Sequence, residues 1–382
     1  MTNNKNNNLY STPIIYFAIS LVSLFIFVSG CAAPTTQRVK PNDAAVEIEA
    51  KKQREIALEE RLRMQKRLDN VGYTILKAGL PLCVDRKIES IGIKYVTKFD
   101  FDEEFQDVAI SKLDLGTTLR IIYVVQSSPA EIAGFEEGDI LLSVNDIEAP
   151  IGKEASKKFT EILKKETKEN KNLSFKITRD GINETININT LEVCDYPLIL
   201  TDDDSVNAYA DGNSIYITQG MMDFASTDDE LALVIGHELA HNSMRHIDAK
   251  RLNAMGGFFL DILLLVLTGV DSGGAFSSAG AQAYSQEFES EADYVGLYFV
   301  ERAGYEINDA AYFWRRMGVK HPSSIAKNHA ASHPSPPERF VSIEDTIKEI
   351  NQKINVGTKL LPNIDESALS KRDPPPAPKI YL

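Results

Sequence analysis

The sequence predicts an α+β protein with two folded domains, one rich in short strands and one mainly helical. The 382 residues suffice for two domains of ordinary size with terminal segments. Between positions 83 and 194, short β-branched runs are bounded by turn residues, as in antiparallel strands. From 195 to 351 the pattern is mainly helical, with two short strands around Asp211 that predict a small antiparallel sheet.

Composition places the chain among folded globular proteins, with 43% hydrophobic and 25% charged residues. The formal net charge is -14, which argues against a nucleic-acid partner and against electrostatic binding to anionic lipid.

Residues 1–30 are predicted to be a signal peptide, because the apolar run Ile14–Val28 is short for a membrane span. It ends in "VSGC", which resembles the lipobox of bacterial lipoproteins and implies cleavage before Cys31 and acylation of that residue. The resemblance implies a membrane attachment through lipid at Cys31 and a cell-envelope protein facing the periplasm. Ala32 favours the outer membrane. An uncleaved signal anchor is the alternative.

Two further cysteines, Cys83 and Cys194, are predicted to form a disulfide, since export would place this pair in an oxidising compartment. Two buried free thiols are the alternative.

Residues 31–82 are predicted to be a tether followed by a helix. From Asp43 to Leu80 the chain is rich in Ala, Glu, Lys, Arg and Leu, and its apolar residues recur at helical spacing. Because the repeat is irregular, packing on the following domain is favoured over a coiled coil.

Residues 83–194 contain "SSPAEIAGFEEGDILLSVND", which resembles the PDZ domains of bacterial proteases over about Val108–Thr190. The resemblance implies a peptide ligand that pairs with an exposed strand edge beside a helix, predicted at Lys153–Lys165. The segment "KFDFDEEFQDVAISKLDLG" gives no match to a carboxylate-binding loop. A docking or regulatory module and an inert spacer therefore both stay open.

The segment "STDDELALVIGHELAHNSMRH" predicts a helix that begins with a capping box formed by Thr227 and Glu230. His237 and His241 are four residues apart, so both imidazoles lie on one face, as two metal ligands require. Glu238 is rotated by about 100° and suits a base beside the metal. The buried face is predicted to be Leu231, Val234, Ile235 and Leu239. Two surface histidines are the alternative, which the apolar surroundings disfavour.

A third ligand is sought on the later helix "SQEFESEADYVGLYFVERAG", since a catalytic zinc needs three protein ligands. His246 is taken as structural, and Glu287, Glu289 and Glu291 are all candidates. Glu289 forms an i, i+4 pair with Asp293, which can orient a ligand histidine.

Three motifs in order, H-E-x-x-H, E-x-x-x-D and "SHPSPPERF", resemble one membrane-associated zinc peptidase family over about Asn207–Phe340. This family includes CaaX prenyl endopeptidases, heat-shock membrane proteases and β-barrel-assembly-enhancing proteases. The resemblance implies a gluzincin fold with one zinc ion per chain, and a cleft-lining edge strand at "NSIYIT". The resemblance implies that His237, His241 and Glu289 bind the metal, that Glu238 is the general base and that Asp293 orients a ligand histidine. It also implies that His333 stabilises the transition state or latches the metal, and that Arg339 binds substrate.

Two other segments carry structural expectations. The apolar run 256–274 is interrupted by Asp261 and is predicted to be too short to span a membrane and to form a buried or cleft-covering helix. A transient contact with lipid is the alternative. The Pro-rich tail 352–382 is predicted to be disordered.

The function predicted from these features is a lipid-anchored zinc endopeptidase that hydrolyses unfolded or misassembled cell-envelope proteins, bound as extended strands. The alternative is a PDZ-containing, chaperone-like lipoprotein whose metal centre is latched by His333. The presence of Glu238 favours the enzyme, since a decayed site has no need of that base. An amidase with the same zinc geometry is a further alternative.

Overall fold

The computed structural model describes residues 36, 38–83, 86–282, 285–320 and 337–372. Contacts divide the chain into two compact units, Met1–Ala50 and Lys51–Leu382. The predicted signal peptide, 1–30, and Cys31 lie outside the described residues. In the first unit, the described residues comprise a short extended stretch and the exposed first two turns of a helix. The other described elements belong to the second unit.

The described helices are numbered in chain order, and short 3₁₀ turns are left unnumbered. They are α1 Asp43–Ala78, α2 Gln106–Leu113, α3 Pro129–Ala133, α4 Ala155–Glu169, α5 Gln219–Phe224, α6 Asp228–Ser243, α7 His246–Thr268, α8 Ala275–Gln282, α9 Ser285–Arg302, α10 Ala310–Lys320, α11 Pro337–Asn355 and α12 Glu366–Ser370. The strands are β1 Lys87–Ser90, β2 Ile93–Val96, β3 Arg120–Val124, β4 Ile140–Val144, β5 Ile147–Glu148, β6 Asn172–Arg179, β7 Ile182–Asn189, β8 Leu191–Cys194, β9 Leu198–Thr201, β10 Ala208–Ala210 and β11 Ile215–Thr218.

Helix α1 packs on the domains that follow it, as its irregular apolar spacing predicts. Leu68, Val71 and Ile75 are fully buried in the larger of the two hydrophobic cores. That core continues through one side of the strand-rich domain and into the helical domain. The helix therefore joins the two domains through shared apolar burial, the dominant favourable term in folding.

The strand-rich domain is an antiparallel sheet with strand order β2-β3-β4-β6-β7, in which β5 pairs with β4. Its own core holds the fully buried Ile121, Phe159 and Phe175. Phe159 belongs to α4. This helix begins two residues later and ends four residues later than the helix predicted at Lys153–Lys165. Strand β2 ends the sheet, so one of its edges is left unpaired within the sheet.

A disulfide joins Cys83 to Cys194 with a Cα–Cα distance of 5.7 Å. Cys194 lies at the end of β8, opposite Lys87 of β1, so the bond ties the two-stranded β1-β8 ribbon to the end of α1. The structure thus contains the pairing that the cysteine count predicts.

We expect the double substitution Cys83→Ser/Cys194→Ser to lower the free energy of unfolding by about 4–5 kcal/mol. The bonded residues are 111 positions apart, and closing so long a loop restricts the unfolded chain strongly. Equilibrium urea unfolding measures the change, with Cys31→Ser as the matched control that should leave stability unchanged. Equal stability of the double variant and the control would contradict the expectation.

The helical domain contains a three-stranded sheet with order β10-β11-β9. Strand β11 pairs antiparallel with β10 and parallel with β9. The structure therefore corrects the prediction that "NSIYIT" is an edge strand, because both edges of β11 already carry backbone hydrogen bonds. The edge strand that packs on α6 is β10, Ala208–Ala210.

Helices α6 and α9 cross in backbone contact. A Cβ atom added to Gly236 would lie 2.8 Å from the carbonyl oxygen of Gly296, and one added to Gly296 would lie 3.1 Å from the Cα atom of His237. Only glycine fits both positions without a shift of the helices. The crossing brings the first turns of α9 beside the centre of α6.

Helices α7 and α8 form a hairpin between α6 and α9. The structure corrects the prediction that this segment is buried, because most of its large apolar residues are exposed. Helix α7 starts at His246, ten residues before the predicted apolar run, and it is long and apolar enough to cross a membrane, unlike any other described helix.

The C-terminal segment differs from the predicted disordered tail. Helix α11 continues to Asn355, α12 follows, and Leu360 and Leu361 between them pack on the larger core. Apolar residues inside a polar, Pro-containing stretch account for this packing. Residues 373–382 lie outside the described residues.

Candidate metal centre

Helix α6 begins with half of the predicted capping box. The Thr227 hydroxyl oxygen accepts a hydrogen bond from the Glu230 backbone N–H at 3.2 Å. The Glu230 carboxylate turns instead to the Ser226 backbone N–H, at 2.9 Å, and to Arg316. The predicted apolar face is buried, and so are both histidines and Glu238. The helix thus places the side chains of His237, Glu238 and His241 in the protein interior.

Three side chains converge at the centre of this interior. His237 Nε2 lies 3.1 Å from His241 Nε2 and 3.4 Å from Glu289 Oε2. His241 Nε2 lies 3.3 Å from Glu289 Oε1. Within the described residues, these three form the one group of histidine, cysteine or carboxylate side chains arranged to hold a metal ion. Among the three glutamates that the sequence left open, the structure brings Glu289 to the histidines.

The donor set fits a zinc ion. Zinc binds imidazole nitrogen and carboxylate oxygen at roughly 2.0–2.2 Å in tetrahedral geometry, which separates two ligand atoms by about 3.3 Å. The three ligand-to-ligand distances of 3.1–3.4 Å agree with that separation. Burial lowers the pKa of His241 well below its ordinary value, which keeps its imidazole neutral and able to donate a lone pair.

The outer nitrogen of His237 meets Asp293, as the i, i+4 relation to Glu289 suggested. His237 Nδ1 lies 3.0 Å from Asp293 Oδ1. Because Nε2 is directed at the metal position, Nδ1 carries the proton and donates a hydrogen bond to the Asp293 carboxylate. Burial raises the pKa of Asp293, but the guanidinium of Arg339 outweighs it and the pKa is lowered overall. Asp293 is therefore ionised beside the histidine.

Arg339 lies beneath the metal centre with 3% of its surface exposed. Its Nε and Nη2 atoms donate to the two Asp293 oxygens at 2.6 and 2.8 Å, and its Nη1 lies 3.5 Å from Glu289 Oε2. The guanidinium also lies over the ring of Trp314. This geometry differs from the substrate-binding role predicted for Arg339, because both arms of the fork hold a buried carboxylate.

The outer nitrogen of His241 meets a second chain of groups, which the sequence motifs did not indicate. His241 Nδ1 lies 2.9 Å from His246 Nδ1, and His246 Nε2 lies 2.9 Å from Glu291 Oε2. Arg372 pairs with Glu291 at 2.9 Å and donates to the Met244 carbonyl oxygen at 2.8 Å. The spacing of five residues between His241 and His246 was the one sequence feature that could have indicated their contact. No feature of the sequence around Arg372 indicated its contact with Glu291.

Glu238 is 3% exposed and follows His237 directly on α6. Its rotation of about 100° around the helix axis places it beside the ligand pair. The loop after β10 is fixed to the same helix by Asn242, whose Oδ1 accepts from the Gly212 N–H at 2.8 Å and whose Nδ2 donates to the Ser214 carbonyl at 3.0 Å. Asn242 was not anticipated from the sequence. His333 lies outside the described residues.

Two family comparisons agree with this geometry. Residues 181–347 match peptidase family M48, and residues 90–190 match the PDZ domain. Residues 181–347 therefore resemble an M48 peptidase domain. The predicted resemblance, a peptidase-family domain joined to a PDZ domain, is therefore confirmed, as is the α+β fold. The PDZ match starts at residue 90, earlier than the stretch from Val108 on which the PDZ resemblance rested.

Curated relatives of the M48 domain occur in eukaryotes and bacteria. The mitochondrial metalloendopeptidase OMA1 of Schizosaccharomyces pombe is 29% identical over 158 residues, covering 40% of this chain and 46% of the relative. The putative β-barrel assembly-enhancing protease of Vibrio cholerae is 25% identical over 185 residues, covering 44% and 37%. The Escherichia coli β-barrel assembly-enhancing protease is 22% identical, covering 42% and 36%. The chain thus spans less than half the length of these relatives.

Among solved structures, the HtrA3 PDZ domain bound to a phage-derived ligand is similar to this chain at 19% identity. The similarity covers 28% of this chain and 88% of that one, with a TM-score of 0.21.

Proposed function

We propose that the chain is a zinc-dependent endopeptidase, anchored by lipid at Cys31, that cleaves unfolded or misassembled proteins of the bacterial cell envelope. The observation that carries the proposal is the buried triad of His237, His241 and Glu289 with Glu238 beside it. Bacterial relatives named for β-barrel assembly support an envelope setting. The "VSGC" sequence that ends at Cys31 supports the anchor, and Ala32 supports the outer membrane.

The chemistry follows from the positions of these groups. Bound zinc would polarise the scissile carbonyl and acidify the attacking water. The Glu238 carboxylate would accept the water proton and deliver it to the leaving amine nitrogen. His237 and His241 would keep their protons on Nδ1, donating to Asp293 and His246. We assign transition-state stabilisation or latching to His333 by its match to the family motif.

The substrate would bind as an extended strand along β10. This strand forms an outer edge of its sheet and packs on α6, which carries the ligand histidines. Backbone hydrogen bonds to an edge strand recognise extended polypeptide with little dependence on sequence. Unfolded chains offer many such segments, whereas most strands of folded proteins are already paired in sheets.

The PDZ domain would bind a second peptide segment. A groove of about 460 Å³ is lined by the edge strand β2 and helix α4, through Ile93 and Leu163, and by α1, through Tyr73 and Leu76. Only Ile91 and Gly92 connect β1 to the edge strand β2. Domain limits of 31–82 and 83–194 remain our proposal for the mature chain, and the third domain, which begins at 195, is extended from 351 to the end of α11 at Asn355.

Degradation of casein by the purified full-length chain in detergent tests the proposed activity. We expect cleavage that a chelator abolishes and that added zinc restores. New peptide termini, read by mass spectrometry, would establish cleavage within the polypeptide. A zinc-loaded protein that leaves casein intact would contradict the proposal and favour a binding protein.

We expect His246→Ala and Glu291→Ala to weaken metal retention by roughly 10–100-fold, because each breaks the hydrogen-bonded chain that fixes the His241 ring. Competition with a zinc chelator measures the affinity. The matched control is Glu287→Ala, which removes an exposed carboxylate from the same helix as Glu291. Melting of the metal-free proteins checks the fold. Unchanged zinc affinity in His246→Ala would contradict a positioning role.

A further inference from the structure

We propose that the hairpin formed by α7 and α8, His246–Gln282, inserts into the hydrocarbon layer of a lipid bilayer. Nine-tenths of the apolar window of α7 is left unburied by the rest of the chain. Its exposed large residues include Phe258, Phe259, Leu263, Val266 and Leu267. So large an apolar surface on one element marks a contact with another apolar phase.

The exposed residues surround α7 instead of forming a single stripe. Positions 258–260, 262–263 and 265–267 are all exposed, and these positions point in every direction except towards α8. Residues at 257 and 261 are buried and face α8. A protein partner would cover one side of such a helix, whereas lipid tails surround it. A helix that is apolar all round is typical of a membrane environment or of a protein core.

The charge in the middle of α7, Asp261, is removed from the surface, whereas Asp271, in the turn between α7 and α8, is exposed. Its Oδ1 accepts from the Phe276 N–H at 3.1 Å and from the Ser272 hydroxyl, and its Oδ2 accepts from the Ser277 N–H at 2.8 Å. Asp261 thus satisfies the free N–H groups at the start of α8. Pairing a polar group inside the hairpin is what contact with hydrocarbon requires.

Small residues let the two helices touch through their backbones. A Cβ atom added to Gly257 would lie 2.0 Å from the Phe276 carbonyl oxygen, and one added to Gly280 would lie 2.2 Å from the Asn253 carbonyl oxygen. Close packing through glycine is the way that helices associate in lipid, where apolar burial between them gives little advantage. The hairpin therefore holds together without covering its outer apolar surface.

The hairpin connects directly to both metal-bearing helices. Helix α6, with His237 and His241, runs into α7, and α8 runs into α9, with Glu289. Insertion would hold the metal centre at the membrane surface. This inference rests on the proposed function. It identifies the substrates as polypeptide segments that lie close to a bilayer. Since the chain is acidic, with a net charge of -14, the contact is apolar and needs no anionic lipid.

The insertion is tested with single cysteines in the full-length chain carrying Cys31→Ser, reconstituted into phosphatidylcholine vesicles. The probes are Leu263→Cys and Val266→Cys, at positions that are 51% and 74% exposed. The matched control is Ile182→Cys, which is 64% exposed on the strand-rich domain. Cys83 and Cys194 are already bonded to each other. Each probe carries a fluorophore that is quenched by nitroxides placed in the lipid tails.

We expect at least tenfold stronger tail quenching at both hairpin probes than at Ile182→Cys, together with at least tenfold slower reaction with a membrane-impermeant maleimide. Slow reaction without quenching would show a protein cover, either a second copy or a bound polypeptide, and would overturn the proposal. Reaction as fast as at the control would also overturn it. Neither readout depends on peptide cleavage.

The substrate class has its own test. We expect Leu263→Asp/Val266→Asp to lower cleavage of acylated casein on vesicles at least tenfold and to leave cleavage of free casein unchanged. Equal rates of the parent and the variant on vesicle-bound casein would overturn this assignment. Failure of the parent to cleave free casein would count against the proposed function and not against membrane insertion.

Discussion

Glu238→Gln is expected to lower the rate of peptide cleavage by roughly 10²–10⁴-fold, the usual contribution of a general acid–base residue. Glutamine keeps the size and shape of the side chain but cannot accept the water proton. Because Glu238 is not one of the three converging ligands, zinc content should stay at the parental level. Cleavage of casein under saturating substrate, with zinc measured in the same samples, gives both quantities.

The matched control for this substitution is Glu287→Gln, which changes an exposed glutamate on α9 in the same way. It should cleave at the parental rate. A Glu238→Gln variant that retains zinc and full activity would show that another group accepts the proton. Loss of zinc in that variant would place Glu238 among the ligands instead.

Arg339→Met should destabilise the metal-free protein by about 3–5 kcal/mol, the usual cost of removing one partner from a buried ion pair. The substitution removes the guanidinium that holds Asp293 at 2.6 and 2.8 Å and approaches Glu289 at 3.5 Å. Two buried carboxylates one turn apart on α9, Glu289 and Asp293, would then lose the cation that contacts both of them. Urea unfolding after removal of metal measures the loss.

Arg315→Met provides the comparison for Arg339→Met. Arg315 pairs with Glu344 at the surface, where the two side chains are 48% and 46% exposed. Such pairs contribute about 0–1 kcal/mol, so this variant should unfold near the parental midpoint. Similar losses in both arginine variants would contradict the role assigned to Arg339. Full stability together with weaker substrate binding would return Arg339 to the substrate-binding role.

The sequence predicted the residues that helical geometry places in fixed relation. Four-residue spacing puts His237 and His241 on one face and Glu289 and Asp293 on another, whatever surrounds them. The meeting of the two pairs depends on the crossing of α6 and α9 at Gly236 and Gly296, which no local pattern reports.

Contacts between distant segments escaped prediction for the same reason. Arg372 reaches Glu291 from a tail whose composition predicts disorder. The family resemblance predicts that β11 is an edge strand, but β11 pairs with β9, whose partner residues lie 17 positions earlier in the sequence, at Leu198–Thr201. Local sequence does not specify which neighbours a strand acquires.

Helix α7 shows a different limit of sequence reading. Apolar periodicity distinguishes an amphipathic helix from a uniformly apolar one, but a uniformly apolar helix suits a core and a membrane equally. The structure leaves α7 outside both cores, with one line of contact to α8.

Zinc K-edge X-ray absorption of the purified full-length chain tests the central claim most directly. We predict one zinc ion per chain, with two imidazole nitrogens, one carboxylate oxygen and one further light atom at about 2.0–2.2 Å. The imidazole signal should fall by half in His241→Ala. A chain that binds no zinc, or a zinc ion with sulfur ligands at about 2.3 Å, would contradict the assignment of His237, His241 and Glu289.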